Sequence, residues 1–138
     1  MQNRISTPVL ASQIAYDATK NCSTAIHFDP ESLVMKDEKT FRQLALTAAH
    51  YLTAPVAYDE YCIEDDEFTV LDCEVFTSER SGEYIADVTI CTGGQTVTAR
   101  YESRNGYIVL EAHWGGNNVQ FTANDCPLID WIKCYMNN

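Results

Sequence analysis

Apolar positions in this chain follow two different periods, and the change from one to the other divides it into a helical first part and a sheet. Over 37–53, Phe41, Leu44, Ala45, Ala48 and Leu52 fall on one stripe at helical spacing, and Pro55 ends it. An earlier helix begins at Thr7-Pro8, a cap followed by proline in the first turn. It carries Leu10, Ile14 and Ala18 on one face and ends near Asn21. Between the two helices the pattern is ambiguous: "TAIHF" reads as a short strand and Asp29-Pro30 as a turn.

The second part alternates, and its turns set a register. "ICTGGQTV" places Gly93-Gly94 between two alternating runs, and "SRNGYI" supplies Asn105-Gly106. If both are two-residue turns, Ile90 faces Val97, Val88 faces Ala99 and Ala86 faces Tyr101. Across the next hairpin Tyr101 faces Leu110, Ala99 faces Ala112 and Val97 faces Trp114. All of these share one face, and a slip of one residue would destroy that agreement. Four-residue loops at "ERSG" and "GGNN" add Leu71, Cys73 and Val75 on one side and Val119, Phe121 and Ala123 on the other. Asp125 or Asn124 then caps a last helix with Pro127 in its first turn and Leu128, Ile129, Ile132 and Tyr135 turned inward. The pattern predicts one α+β domain over 1–138: a five-stranded antiparallel meander, helices packed on one face, and a C-terminal helix.

The same register predicts the opposite face. One row reads Glu74, Asp87, Arg100, Glu111, Thr122, with Arg100 between two carboxylates. Its neighbour reads Asp72, Thr89, Thr98, His113, Gln120, and a third, partly apolar, reads Phe76, Ile85, Glu102, Val109.

Charge changes this picture from a generic sheet to a polarised one. The chain of 138 residues carries a net charge of -11. Segment 59–87 holds eleven acids (Asp59, Glu60, Glu64, Asp65, Asp66, Glu67, Asp72, Glu74, Glu79, Glu83, Asp87) against Arg80 alone, so ten of the eleven net charges lie there. With apolar residues at 46%, the chain nevertheless has enough to fold around. Between Gln43 and Ala99 only Arg80 is basic, which opposes direct nucleic-acid or anionic-membrane binding and favours basic partners. The polar start "MQNRIST" does not read as a signal peptide, and no apolar run approaches the roughly 20 residues of a membrane span, so a cytoplasmic protein is expected. Six cysteines lack any C-x-x-C pair and are expected as free thiols, with Cys73 on the apolar face and Cys91 on the other.

Candidate chemistry adds little. There is no phosphate-binding glycine loop, no G-x-S-x-G and no H-E-x-x-H. "EDDE" at 64–67 lacks the alternating ligands and glycine of a calcium loop, and Cys126, Cys134 and His113 are poorly spaced for zinc. His113 near Asp72 is the one conceivable acid–base pair. No catalytic residue, metal or cofactor is therefore expected. Aromatics interleaved with the acids (Tyr58, Tyr61, Phe68, Phe76, Tyr84) suit a surface that docks on a basic protein. The expected partner-binding residues are Asp59, Glu60, Glu64, Asp65, Asp66, Glu67, Asp72, Glu74 and Asp87.

In size and charge the chain resembles the small acidic inhibitors of phages and mobile elements, the anti-CRISPR and anti-restriction DNA mimics. That resemblance implies a non-enzymatic inhibitor whose partner is a nucleic-acid-binding protein. The helix-then-meander order is similar in topology to cystatin-like and ketosteroid-isomerase-like folds, which implies the alternative of a small-molecule or catalytic pocket between helix and sheet. A type III secretion chaperone is a further acidic α+β binder of this size, distinguished by exposed hydrophobic grooves.

Overall fold

The computed structural model describes residues 6–59 and 63–137. Three helices, α1 (Thr7–Thr19), α2 (Glu38–Thr53) and α3 (Pro127–Met136), accompany six strands: β1 (Ile26–Phe28), β2 (Asp72–Thr77), β3 (Tyr84–Cys91), β4 (Thr96–Glu102), β5 (Ile108–Trp114) and β6 (Asn117–Ala123). The architecture is α+β with one antiparallel sheet in the order β1-β6-β5-β4-β3-β2. The sheet has six strands rather than five. "IHF" forms β1 and pairs with β6, Phe28 lying opposite Phe121 with their rings edge to face at 6.4 Å.

The long helix forms as its stripe predicts. Phe41, Leu44, Ala45, Ala48 and Leu52 are buried, together with Ala49, and α2 lies over β5 and β6. The Asp37 side chain caps it by accepting from Thr40 N at 2.9 Å. Each fully buried Leu or Phe here contributes about 1.5–3 kcal/mol relative to exposure. Helix α1 packs on α2 with Ala11, Ile14, Ala15 and Thr19 buried, a face rotated one position from the one expected. Its N-cap is Ser6, not Thr7. The last helix is capped at Cys126 rather than Asn124 or Asp125; Leu128, Ile129 and Ile132 are buried, but Tyr135 is exposed and stacks on Trp131 at 5.3 Å.

The sheet keeps every predicted strand while changing how three hairpins close. The β2–β3 register, Cys73 opposite Val88 and Val75 opposite Ala86, is the one expected from a four-residue loop at "ERSG". Between β3 and β4, Ala86–Tyr101 and Val88–Ala99 also stand, but a bulge after Thr89 sets Cys91, not Ile90, opposite Val97. An extra residue in one strand re-aims the side chains beside it. Ile90 stays in the core, and Cys91 turns to the helix side, where its thiol meets the Tyr51 hydroxyl. The expectation that Cys91 lies on the outer face is thereby overturned. The described cysteines Cys22, Cys73, Cys91, Cys126 and Cys134 are free thiols.

The two remaining turns exchange lengths. Asn105-Gly106 does not make a two-residue hairpin turn of the favoured types, each of which would need φ > 0 at Asn105. Only Gly106 is positive, at 75°, and both Asn105 N and Gly106 N donate to Glu102 O. The loop is longer, so Tyr101 faces Ile108, Ala99 faces Leu110 and Val97 faces Ala112. Trp114 lies at the hairpin end, opposite Asn117 and 42% exposed. Conversely, "GGNN" closes on Gly115-Gly116 alone, at φ 56° and 80°, which puts Asn117 in β6. Each error shifts pairing by two residues, so most of the inward set survives: Ala86, Val88, Val97, Ala99, Tyr101, Leu110, Ala112, Val119, Phe121 and Ala123 are all buried. Leu71, expected inward beside Cys73 and Val75, instead lies just before β2, outside the alternating strand, and is 59% exposed.

Asn117 was not anticipated as a structural residue. It is 2% exposed and its amide is fully used. Its Oδ1 accepts from Lys36 N at 2.7 Å and Asp37 N at 3.1 Å, and its Nδ2 donates to Trp114 O at 2.9 Å. One side chain thus ties the approach to α2 onto the β5–β6 hairpin. No helix among the described residues is long and apolar enough to cross a membrane.

Candidate functional site

The acidic segment, continuous in sequence, is divided by the fold. Its first half is a loop closed at its base. Ala57 N donates to Phe68 O at 2.8 Å, Phe68 N donates to Pro55 O at 3.2 Å, and Val56 and Phe68 are both core residues. The Phe68 ring meets Tyr51 of α2 edge to face at 4.9 Å, and Tyr58 reaches the Cys134 thiol and Asp130 of α3. The loop therefore leaves from and returns to the helix side of the sheet. Glu64, Asp65 and Asp66 are exposed there, as is Asp59; Glu60 lies outside the described residues.

Part of this loop's charge serves its own turn. The Glu67 carboxylate accepts from Glu64 N at 2.7 Å while Glu67 N donates to Glu64 O at 3.2 Å. Between them Asp66 adopts φ 69°, a left-handed conformation that Asp tolerates better than most residues. Glu67 is half-buried and acts as a turn residue.

The second half lies on the opposite face. Because Cys73 and Val75 pack against the core, Asp72, Glu74 and Phe76 point away from the helices. The observed rows are Asp72, Thr89, Thr98, Glu111, Gln120 and Glu74, Asp87, Arg100, Val109, Thr122, followed by Phe76, Ile85, Glu102. The altered β4–β5 register exchanges Glu111 for Val109 beside Arg100, so Arg100 does not lie in a row between two carboxylates. It binds Asp87 with both ends of its guanidinium, at 2.8 and 3.1 Å. The pair is well exposed, and such pairs contribute about 0.2–1 kcal/mol.

His113 is likewise displaced. It lies opposite Thr96 and Asn118 and contacts Glu111 at 3.1 Å, so the expected approach to Asp72 does not occur. Cys126 sits at a helix start, where hydrogen bonds from Ile129 N and Leu128 N favour the thiolate, but burial prevails and pushes its thiol pKa up.

Asp72, Glu74, Asp87, Glu102 and Glu111 thus share the outer face of the strands with the guanidinium of Arg100, which Asp87 already holds, and with Arg104 of the β4–β5 turn at its Phe76 end. Phe76 stands among them 56% exposed, beside a depression of about 440 Å³ lined by Phe76, Tyr84, Ile85, Glu102 and Arg104. A second depression, about 510 Å³, lies between Asp87, Thr98, Arg100, Val109 and Glu111. Asp72, Glu74 and Asp87 of the predicted site are brought together here, and the loop acids are not. Glu102 and Glu111, outside the expected set, share this face because both fall at outward positions of the alternation. Chain comparisons add no function to this geometry: no protein-family model, curated protein or solved structure matches the sequence.

Proposed function

We propose that this protein is a non-catalytic binding protein that presents the outer face of its sheet to a basic protein surface, with a nucleic-acid-handling protein as partner and inhibition by occupation of its anionic-ligand site as the outcome. The observation that carries this reading is the composition of that face: Asp72, Glu74, Glu102 and Glu111 point outward on the same side as an exposed Phe76, and Arg100 is held by Asp87. Carboxylates steer and pair with Lys or Arg, and an exposed aromatic supplies an anchor that charge alone lacks. An anti-defence role of the anti-CRISPR or anti-restriction kind is one form of this proposal.

The test compares two neutralised variants. One carries Asp72→Asn, Glu74→Gln, Glu102→Gln and Glu111→Gln; the other carries Glu64→Gln, Asp65→Asn and Asp66→Asn in the loop. Each is immobilised and offered a panel of purified DNA- and RNA-binding proteins. The unaltered protein should retain at least one of them, release it on addition of duplex DNA, and release it as salt shortens the screening length below about 8–10 Å. The sheet variant should melt cooperatively yet lose that partner, and the loop variant should keep it. Equal retention by both variants at high salt would remove the acidic face from the function.

A further inference from the structure

The outer face ends at an edge that is open as well as acidic. β2 is the last strand of the sheet, and no described strand pairs with its far side. Ser78 N donates to Glu83 O at 2.8 Å. Antiparallel pairs exchange bonds at every second residue, so stepping back from that pair turns the backbone groups of Phe76, Glu74 and Asp72 toward β3. The N–H and C=O groups of Cys73, Val75 and Thr77 consequently face outward. The opposite edge of the sheet differs: β1 has three residues where β2 has six.

Side chains on the open edge specify what could pair with it. Toward the outer face a new strand would meet Asp72, Glu74 and Phe76; toward the helix side it would meet Cys73 and Val75, which are only half-buried and pack on the core. We infer that β2 accepts, as an antiparallel seventh strand, an extended segment of the basic partner in which Lys or Arg alternates with apolar residues. Basic side chains lie opposite Glu74 and Asp72, apolar ones opposite Val75 and Cys73, and a further apolar residue lies against Phe76. Backbone hydrogen bonds hold the segment, and the alternating side chains select it.

A second copy of this chain is disfavoured at this edge in the register centred on Glu74. Antiparallel pairing of β2 with itself, centred on Glu74, sets Glu74 opposite its own copy on a shared face, and like charges directly opposite destabilise a sheet. The acids that oppose self-pairing are those that match a basic strand.

This inference rests on the docking reading of the outer face, and its experiment separates the two. Three synthetic peptides with the same set of side chains are titrated against the full chain. The first alternates Lys with Val over its central residues; the second holds the same residues with the lysines contiguous; the third repeats the first with N-methyl groups on the backbone amides that would face β2. The alternating peptide should bind, and the other two should bind at least about tenfold more weakly because each loses the ladder or its register. Val75→Pro removes an outward-facing N–H without removing a β2–β3 bond, and should weaken the alternating peptide by a similar factor, about tenfold. The N-methylated peptide gives the same information without altering the protein. If all three peptides bind equally and only Asp72→Asn with Glu74→Gln abolishes binding, strand addition is overturned and the acidic docking face stands. If none binds while a globular basic partner is retained, strand addition again fails alone. Sedimentation showing a dimer that Val75→Pro dissociates would assign the edge to a second copy instead.

Discussion

The two flanks of the sheet use one strand pattern for different ends. Under α2, β5 and β6 turn their inward residues into a closed core, with Leu110, Ala112, Val119 and Phe121 fully buried, and Asn117 ties the approach to the helix onto the hairpin. At the other flank, β2 leaves Cys73 and Val75 half-buried and sets Asp72, Glu74 and Phe76 in the open. Both flanks alternate, so alternation alone does not distinguish a strand that holds the fold from one that is available to a partner. What separates them is the layer above. The covered flank loses stability when altered, whereas self-repulsion between Asp72 and Glu74 means that neutralising these two on the open flank costs the fold little.

The largest expected effect probes this contrast in the core. Phe121→Ala should destabilise by about 3–5 kcal/mol, because a fully buried aromatic leaves a cavity beneath α2. Val75→Ala, at a half-buried edge position, should cost less than about 1.5 kcal/mol. Urea unfolding of both variants checks the pair, and equal losses would abolish the distinction between flanks.

A smaller effect is expected at the polar tie. Asn117→Ala should cost about 1–3 kcal/mol, since Lys36 N and Asp37 N then lose their acceptor in a part-buried site. Amide hydrogen exchange should show the loss concentrated at the start of α2 rather than at β2.

The smallest effect depends on pH and sharpens the account of the covered flank. The Thr40 hydroxyl first, and then the Thr40 N–H, hold the Asp37 carboxyl below its ordinary pKa. Its folded pKa is therefore lower than its unfolded one. The contribution is fully present above the unfolded value and is lost as pH falls through the folded value. Asp37→Ala should thus lower the Tm at neutral pH, and its difference from the unaltered protein should shrink through the acid range. A difference independent of pH would remove the carboxylate from the cap.

Much of the fold was legible because a strand has period two. Reading Asn105-Gly106 as a short turn and Gly115-Gly116 as part of a long one misplaced the β4–β5 and β5–β6 pairings by two residues each, yet no strand residue changed face. The bulge after Thr89 shows the converse: one extra residue sufficed to carry Cys91 from the expected outer face to Tyr51. The candidate site was legible in part. The outward directions of Asp72, Glu74 and Asp87 follow from alternation. Nothing in the sequence says that Glu67 accepts from Glu64 N, because that bond depends on the left-handed turn at Asp66.

The sequence by itself determined the helical stripe of α2, the inward and outward sets of β2–β6 apart from Cys91 beyond the bulge, and the concentration of negative charge over 59–87. These are properties of spacing and composition, which local geometry converts directly into faces. Only the tertiary structure decided that "IHF" joins as a sixth strand, that Glu111 and Val109 exchange places beside Arg100, and that the acidic segment divides between the helix side and the outer face. Those outcomes depend on which residues meet across turns and on where Val56 and Phe68 enter the core, and such contacts join positions whose spacing along the chain carries no sign of them.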